Sequence, residues 1–181
     1  MHEHPQTRCA PTCAHPAVRL RPLVRDDLAA WFALLAQPAV HGPTSWNVGR
    51  AEDLIGHVLG NESDAADAPR RWAVLARDGG TLLGTVGLHS VSMADRRAEI
   101  GYELAPEARG AGIATAVCRG VTDWALGPAG LVRVQATVRV GNDRSQRVLE
   151  RSGYQREGLL RSYRHVRGIP DDFWIWARIG P

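Results

Sequence analysis

Apolar residues recur along this chain with two periods, and the changes between them mark its elements. Period two governs residues 97–104, where Ile100, Tyr102 and Leu104 alternate with Glu99, Gly101 and Glu103, the pattern of a half-buried strand. The same reading gives strands over 18–23, 71–77, 81–91 and 131–138, with a tight Asp78-Gly79-Gly80 turn joining the second and third. A final hairpin is read over 154–166 and 172–179, turning at Gly168-Ile169-Pro170-Asp171. Helical spacing links Leu28, Trp31, Phe32 and Leu35 behind a cap at Asp26 or Asp27. It returns over 52–59, then in Ile113, Val117, Val121 and Trp124, a face stopped by Gly127-Pro128. Asn142 caps a short helix ending at Gly153. Residues 41–48 and 61–69 read as irregular. The order is β-α-α-β-β-β-α-β-α-β-β, and the long helix carries the chain to a parallel strand at 131–138 in a right-handed crossover.

Composition sets limits on this picture. A length of 181 residues suits one domain, expected over 17–181. Residues 1–16 are rich in Pro, His and small residues without periodicity, and are expected to form a disordered tail. That tail holds Cys9, Cys13 and His15 with His2 and His4 nearby, but the spacing matches no standard zinc pattern, so no metal is expected. No apolar run approaches a membrane span, and no apolar signal-peptide core opens the chain. Three cysteines, an odd number, argue against a disulfide framework, so a reducing, cytoplasmic address is expected.

The net charge is +3 and every one of the 22 basic residues is arginine. Many lie between Arg133 and Arg167, among Tyr154 and Tyr163. A weak RNA or ribosome contact through this Arg-rich face, attraction for an anionic ligand, and an ion-paired surface interleaved by Glu150 and Glu157 are all compatible with it.

Between the strand at 97–104 and the long helix stands Arg109-Gly110-Ala111-Gly112-Ile113-Ala114. A glycine-rich turn opening a helix leaves backbone N–H groups unpaired at the positive end of the helix dipole. Gly110, Ala111 and Gly112 carry no bulk to keep an anion away, so the turn reads as a phosphate site. A P-loop is excluded, because it needs a lysine and the chain has none. A dinucleotide fingerprint wants a small residue where Thr115 stands and an acidic residue closing the strand at 131–138, which has none. The glycines alone also suit an ordinary loop before an amphipathic helix.

The wider pattern is more specific. Arg109-x-x-Gly112-x-Ala114 resembles the acyl-CoA pyrophosphate loop of the GNAT superfamily of N-acetyltransferases, and residues 98–104 resemble that family's preceding strand. A second block, Asn142-x-x-Ser145-x-x-Val148-Leu149-Glu150-x-x-Gly153-Tyr154-x-x-Glu157-Gly158, is similar to the subgroup that acetylates ribosomal-protein N-termini at alanine or serine, and to its small-molecule-modifying relatives. The resemblance implies an α/β (α+β) fold: a mixed, mostly antiparallel sheet of about seven strands with a splayed parallel pair, flanked by about four helices. It implies acetyl-CoA as co-substrate, with pantetheine in the splay and pyrophosphate on Arg109, Gly110, Ala111, Gly112, Ile113, Ala114 and Thr115. It further implies backbone N–H groups around Leu104 as oxyanion donors, and Asn142 at the pantetheine arm.

Acetyl transfer to an amine needs a neutral nucleophile, a stabilised oxyanion and a proton for the departing thiolate. An α-amine with a pKa near 8 is easier to deprotonate than a lysine near 10.4. Glu99 and Glu103 flank Gly101 on one strand face, and either could take the amine proton; Glu99 aligns with the glutamate used in protein acetyltransferases of the family. The tyrosine acid of many members would stand at position 149, which here is Leu149. Ser145 occupies the place of the serine implicated in the ribosomal-protein subgroup. Trp46, His41, His165 and the Asp171-Asp172 turn are candidates for the acceptor side.

The expected activity is acetylation of a primary amine, a protein N-terminus ahead of a small amine such as an antibiotic or polyamine, by direct transfer in a ternary complex. The chain is expected to act off the membrane as a monomer or homodimer. The rivals are a non-catalytic acyl-CoA or RNA module, which would bind CoA without turnover, and an oxidoreductase, which would bind NAD(H). Gly112→Asp, placing bulk and negative charge where pyrophosphate belongs, should abolish CoA binding in a thermal-shift titration; normal affinity would overturn the loop assignment.

Overall fold

Strands β1 (Val18–Pro22), β2 (Arg70–Ala76), β3 (Leu82–Ser92), β4 (Arg97–Leu104), β5 (Arg133–Arg139), β6 (Gln155–Val166) and β7 (Ile169–Ile179) form one sheet in this computed structural model, which describes residues 10–181. Their order is β1-β2-β3-β4-β5-β7-β6. Every neighbouring pair is antiparallel except β4 and β5. The parallel pair is joined by α4 (Ile113–Leu126), the crossover that parallel neighbours require. The remaining helices are α1 (Leu28–Ala36), α2 (Pro38–His41), α3 (Ile55–Glu62) and α5 (Asp143–Arg151).

The sheet buries both faces. Ile100 and Leu104 of β4 join Val117, Val121 and Ala125 of α4 and Leu149 of α5 in the larger core. Trp31, Leu34 and Leu35 of α1 pack with Val58 of α3 and Ala73 and Leu75 of β2 in a second core on the opposite face. Residues 10–16 of the expected tail lie within the described part of the chain, where Pro11 is buried and Cys13 packs against the larger core. His2, His4 and Cys9 lie outside the described residues. No helix among the described residues is long and apolar enough to cross a membrane.

Three local expectations change. A fifth helix, α2, occupies Pro38–His41 ahead of the irregular stretch, started by a proline in the first-turn position that proline favours. The helix expected to end at residue 59 runs on as α3 to Glu62. Tertiary bonds hold its last turn: the Asn61 amide donates to the Leu23 and Arg71 carbonyls at 3.0 and 2.7 Å and accepts from Arg71 N at 2.9 Å. The final hairpin turns earlier than expected, so Ile169, Pro170 and Asp171 belong to β7. Pro170 is tolerated because β7 pairs with β5 only from Phe173 onward, leaving that edge free of ladder donors.

Three arginines of the arginine-rich stretch are ion-paired: Arg133 with Glu157 at 2.6 Å, Arg139 with Asp171 at 2.5 Å and Arg164 with Glu99 at 3.1 Å. Leu149 is fully buried where α5 meets the larger core. Leu149→Ala should destabilise the protein by about 2–5 kcal/mol, lowering the melting temperature by roughly 4–20 °C in a calorimetric scan.

Candidate active site

β4 and β5 pair only through Arg97–Arg133, Ala98–Val134 and Glu99–Gln135. Beyond Glu99, β4 keeps its antiparallel partner β3 as far as Leu104, and β5 keeps β7 as far as Arg139. The two strands therefore part, with one edge of each left out of any ladder. A cavity of about 350 Å³ lies at this opening, with Glu99, Gly101, Tyr102 and Glu103 of β4, Thr137 of β5, and Asn142 and Ser145 beside α5 in its wall.

Glu103 forms the deep end of the polar floor and is consumed by donors. Its Oε1 accepts from Trp31 Nε1 at 2.7 Å, from Arg71 at 3.1 Å and from the Thr85 hydroxyl. Its Oε2 accepts from Trp46 Nε1 at 3.3 Å. Arg71 is itself buried, its guanidinium 4.8 and 5.2 Å from the Trp31 and Trp46 ring centres. Burial pushes the Arg71 pKa down, and Glu103 opposes the shift. Gly101 lies beside Arg71 and His89: a Cβ on it would be in ordinary van der Waals contact, 3.5 Å from the Arg71 guanidinium and from the His89 ring. His57 closes this end against both indoles, and burial followed by the Arg71 charge lowers its pKa to about 4. It is therefore neutral near pH 7. Burial also lowers the pKa of His89, against the pull of Glu99.

Glu99 stands differently. Its Oε1 accepts from the Thr137 hydroxyl at 2.5 Å and from Arg164 at 3.1 Å. No donor among the described residues reaches its Oε2, although Glu99 lines the cavity and is itself buried. One carboxylate oxygen is fixed and the other is open.

Across the opening, Asn142 caps α5 by accepting from Ser145 N at 3.2 Å, while its amide donates to the Pro43 carbonyl at 3.2 Å. The Ser145 hydroxyl donates to Tyr102 Oη at 3.1 Å, and Tyr102 donates to the Ser145 carbonyl at 3.1 Å. Burial raises the Tyr102 pKa well above its ordinary value, so the phenol keeps its proton.

The glycine turn leads into α4 with Gly110 and Gly112 at φ 85° and 83°, a left-handed conformation that glycine adopts without strain. Arg109 N donates to Pro106 O, and Ala116 N donates to Gly112 O. Between them, the N–H groups of residues 110–115 have no acceptor among the described residues. The Arg109 side chain does not reach outward. It donates to the Leu104 carbonyl at 3.2 and 3.0 Å and to Ala39 O at 3.1 Å, tying the turn to the end of β4.

Of the acceptor-side candidates, Trp46 is in the cavity wall, whereas His41, His165 and Asp172 are not among its lining residues. His41 and His165 lie where the hairpin clasps the 42–47 loop. Asn47 donates to His165 O at 2.8 Å and accepts from Arg167 N at 2.8 Å, and Arg167 donates to the carbonyls of His41, Gly42 and Thr44. Asp172 accepts from Ser162 N within the hairpin. Arg71, His57, His89, Thr137 and Arg164 line the cavity without having been singled out from sequence. The only signal for them was periodicity, of a helix for His57 and of strands for the rest, which puts a residue on a face without saying which site that face serves.

The profile of the acetyltransferase (GNAT) domain family matches residues 17–155. The chain is 39% identical over 111 residues to the uncharacterized N-acetyltransferase YoaA of Bacillus subtilis, covering 61% of this chain and 63% of that protein. It is 41% identical over 98 residues to the putative ribosomal N-acetyltransferase YdaF of the same organism, covering 54% of each. The match thus spans under two thirds of these relatives. A solved probable acetyltransferase superposes with a TM-score of 0.78 at 28% identity, over 93% of this chain and 96% of that one. With the parted parallel strands, the open glycine turn and the cavity between them, the match establishes that this chain belongs to the GNAT acetyltransferase family.

Proposed function

We propose that this chain transfers the acetyl group of acetyl-CoA to a primary amine, with a protein N-terminal α-amine as the acceptor, by direct transfer in a ternary complex. The observation that carries the reading is the open Oε2 of Glu99, at the mouth of the gap between β4 and β5. The surrounding chain suits the donor: free N–H groups at residues 110–115 match a pyrophosphate, and the unpaired strand edges match the amides of a pantetheine arm. Acetyl-CoA supplies an activated acyl carbon and a thiolate leaving group. The protein supplies the proton transfers and the alignment.

Glu99 is the base. Thr137 and Arg164 hold one of its oxygens, which fixes the other toward the cavity, where it takes the amine proton directly or through water. Glu103 is the scaffold rather than the base, since Trp31, Arg71, Thr85 and Trp46 already occupy its lone pairs. Ser145 is the proton donor to the departing sulfur, its hydroxyl turning from Tyr102 Oη to reach it. Asn142 lies beside them as the cap of α5 and the contact for the pantetheine arm.

The charge of the cavity favours the N-terminal acceptor over a polyamine. Glu99 and Glu103 are already paired with Arg164 and Arg71, and Arg139 lines the same wall. A polycation meets no surplus negative charge there, whereas a single α-amine followed by neutral or acidic residues does not need any. The likeness to a putative ribosomal N-acetyltransferase supports the same choice.

Glu99→Gln should lower kcat by about 10²-fold or more at pH 7. The loss should shrink as pH rises toward 9, because an α-amine then sheds its own proton. Unchanged turnover would remove Glu99 as base. Ser145→Ala should lower kcat while leaving acetyl-CoA affinity nearly intact, and equal turnover would remove the serine from the acid role. In a thiol-release screen, peptides with free N-termini should turn over ahead of spermidine; the reverse order would overturn the acceptor assignment.

A further inference from the structure

Glycine is unfavourable inside a helix, yet Gly120 stands midway along α4. A Cβ there would collide with the carbonyl of Thr12. The segment ahead of β1 therefore runs hard against α4, with Pro11 buried and Cys13 packed on the larger core. It arrives at His15, whose Nε2 lies 2.9 Å from the carbonyl oxygen of Ala111, inside the glycine turn. Ala17 N donates to Nδ1 of the same ring at 3.3 Å. With Nδ1 accepting, Nε2 carries the hydrogen and donates to Ala111.

This bond acts on the next N–H. In a trans peptide the carbonyl and the following N–H point in opposite directions. Holding the Ala111 carbonyl on the His15 side turns the Gly112 N–H to the other side, together with the free N–H groups that open α4. The peptide has little else to orient it, since it joins Ala111, which carries only a methyl, to Gly112, which has neither side chain nor strong backbone preference. A flipped peptide would present a carbonyl oxygen to the anion in place of a donor.

We propose that His15 is a positioning residue for the pyrophosphate of acetyl-CoA: through the Ala111 carbonyl it locks the 111–112 peptide with the Gly112 N–H facing the ligand. The inference rests on acetyl-CoA being the donor. It gives the segment before β1 a role in cofactor affinity, and it explains why α4 carries a glycine where the segment crosses it.

The test is calorimetric titration of the full chain with acetyl-CoA, beside circular-dichroism melting of the ligand-free protein. His15→Ala removes the tether. Gly120→Ala keeps His15 and improves the helix, but displaces the Thr12 backbone that delivers it. Each should weaken acetyl-CoA binding about five- to tenfold, the scale of one ordinary hydrogen bond gained or lost. The double variant should bind no more weakly than either alone, because both cut the same tether. His15→Gln, which retains a donor, should restore affinity to within about twofold. Unaltered affinity in His15→Ala or Gly120→Ala would overturn the proposal, as would a Gln variant as weak as Ala. Failure of the unaltered chain to bind acetyl-CoA would instead overturn the donor assignment itself.

Discussion

The hydrogen-bond ladder between β4 and β5 closes for three residue pairs and then ends, while each strand keeps its outer antiparallel partner. The sheet is consequently two sub-sheets, β1 to β4 and β5 to β6, hinged along a short seam. Unpaired backbone donors and acceptors inside a protein are costly unless water or a ligand meets them. A gap of this kind is therefore stable only where it opens to solvent or receives something with its own peptide-like groups. The core between α4 and the sheet holds the halves together below the gap, so the opening is built into the packing.

One wall of that opening depends on burying charge. Arg71 and Glu103 sit in a setting where either alone would be costly by several kcal/mol, and their attraction by itself does not guarantee a net gain. What the pair provides is definition. Through Glu103, β2, β3, β4, α1 and the 42–47 loop converge on a single carboxylate. Each donor fixes a different element, so the floor beneath Glu99 has one arrangement. The contrast between the two glutamates follows: four residues apart on the same face of one strand, one is locked by its neighbours and the other keeps an oxygen in reserve.

Much of this was legible in the sequence, for local reasons. The β4 strand, the glycine turn and the Asn142 cap are encoded within a few residues of themselves and stand where their patterns indicated, but the β4 face read as open is covered, with Glu99 and Glu103 both buried. The Arg71–Glu103 pair was not legible, because it arises from register: Arg71 pairs with Gly87, and Gly87 with Gly101, which lets a β2 side chain cross two strands. Thr137 and Arg164 reach Glu99 from β5 and β6 by the same non-local route. The α2 turn and the early hairpin reversal were missed because Pro38 and Pro170 read equally as breakers. Which role a proline plays depends on whether its neighbours need its missing N–H. The segment before β1 lacked any periodicity, yet its partner on α4 was already marked by a mid-helix glycine.

The clasp between Asn47, Arg167 and the carbonyls of the 42–47 loop joins two segments far apart in the chain into one rim. A single amide side chain serves both a carbonyl and an N–H of the hairpin. A substitution at Asn47 is therefore felt in both segments at once, although the bonded residues stand 118 and 120 positions apart in the chain.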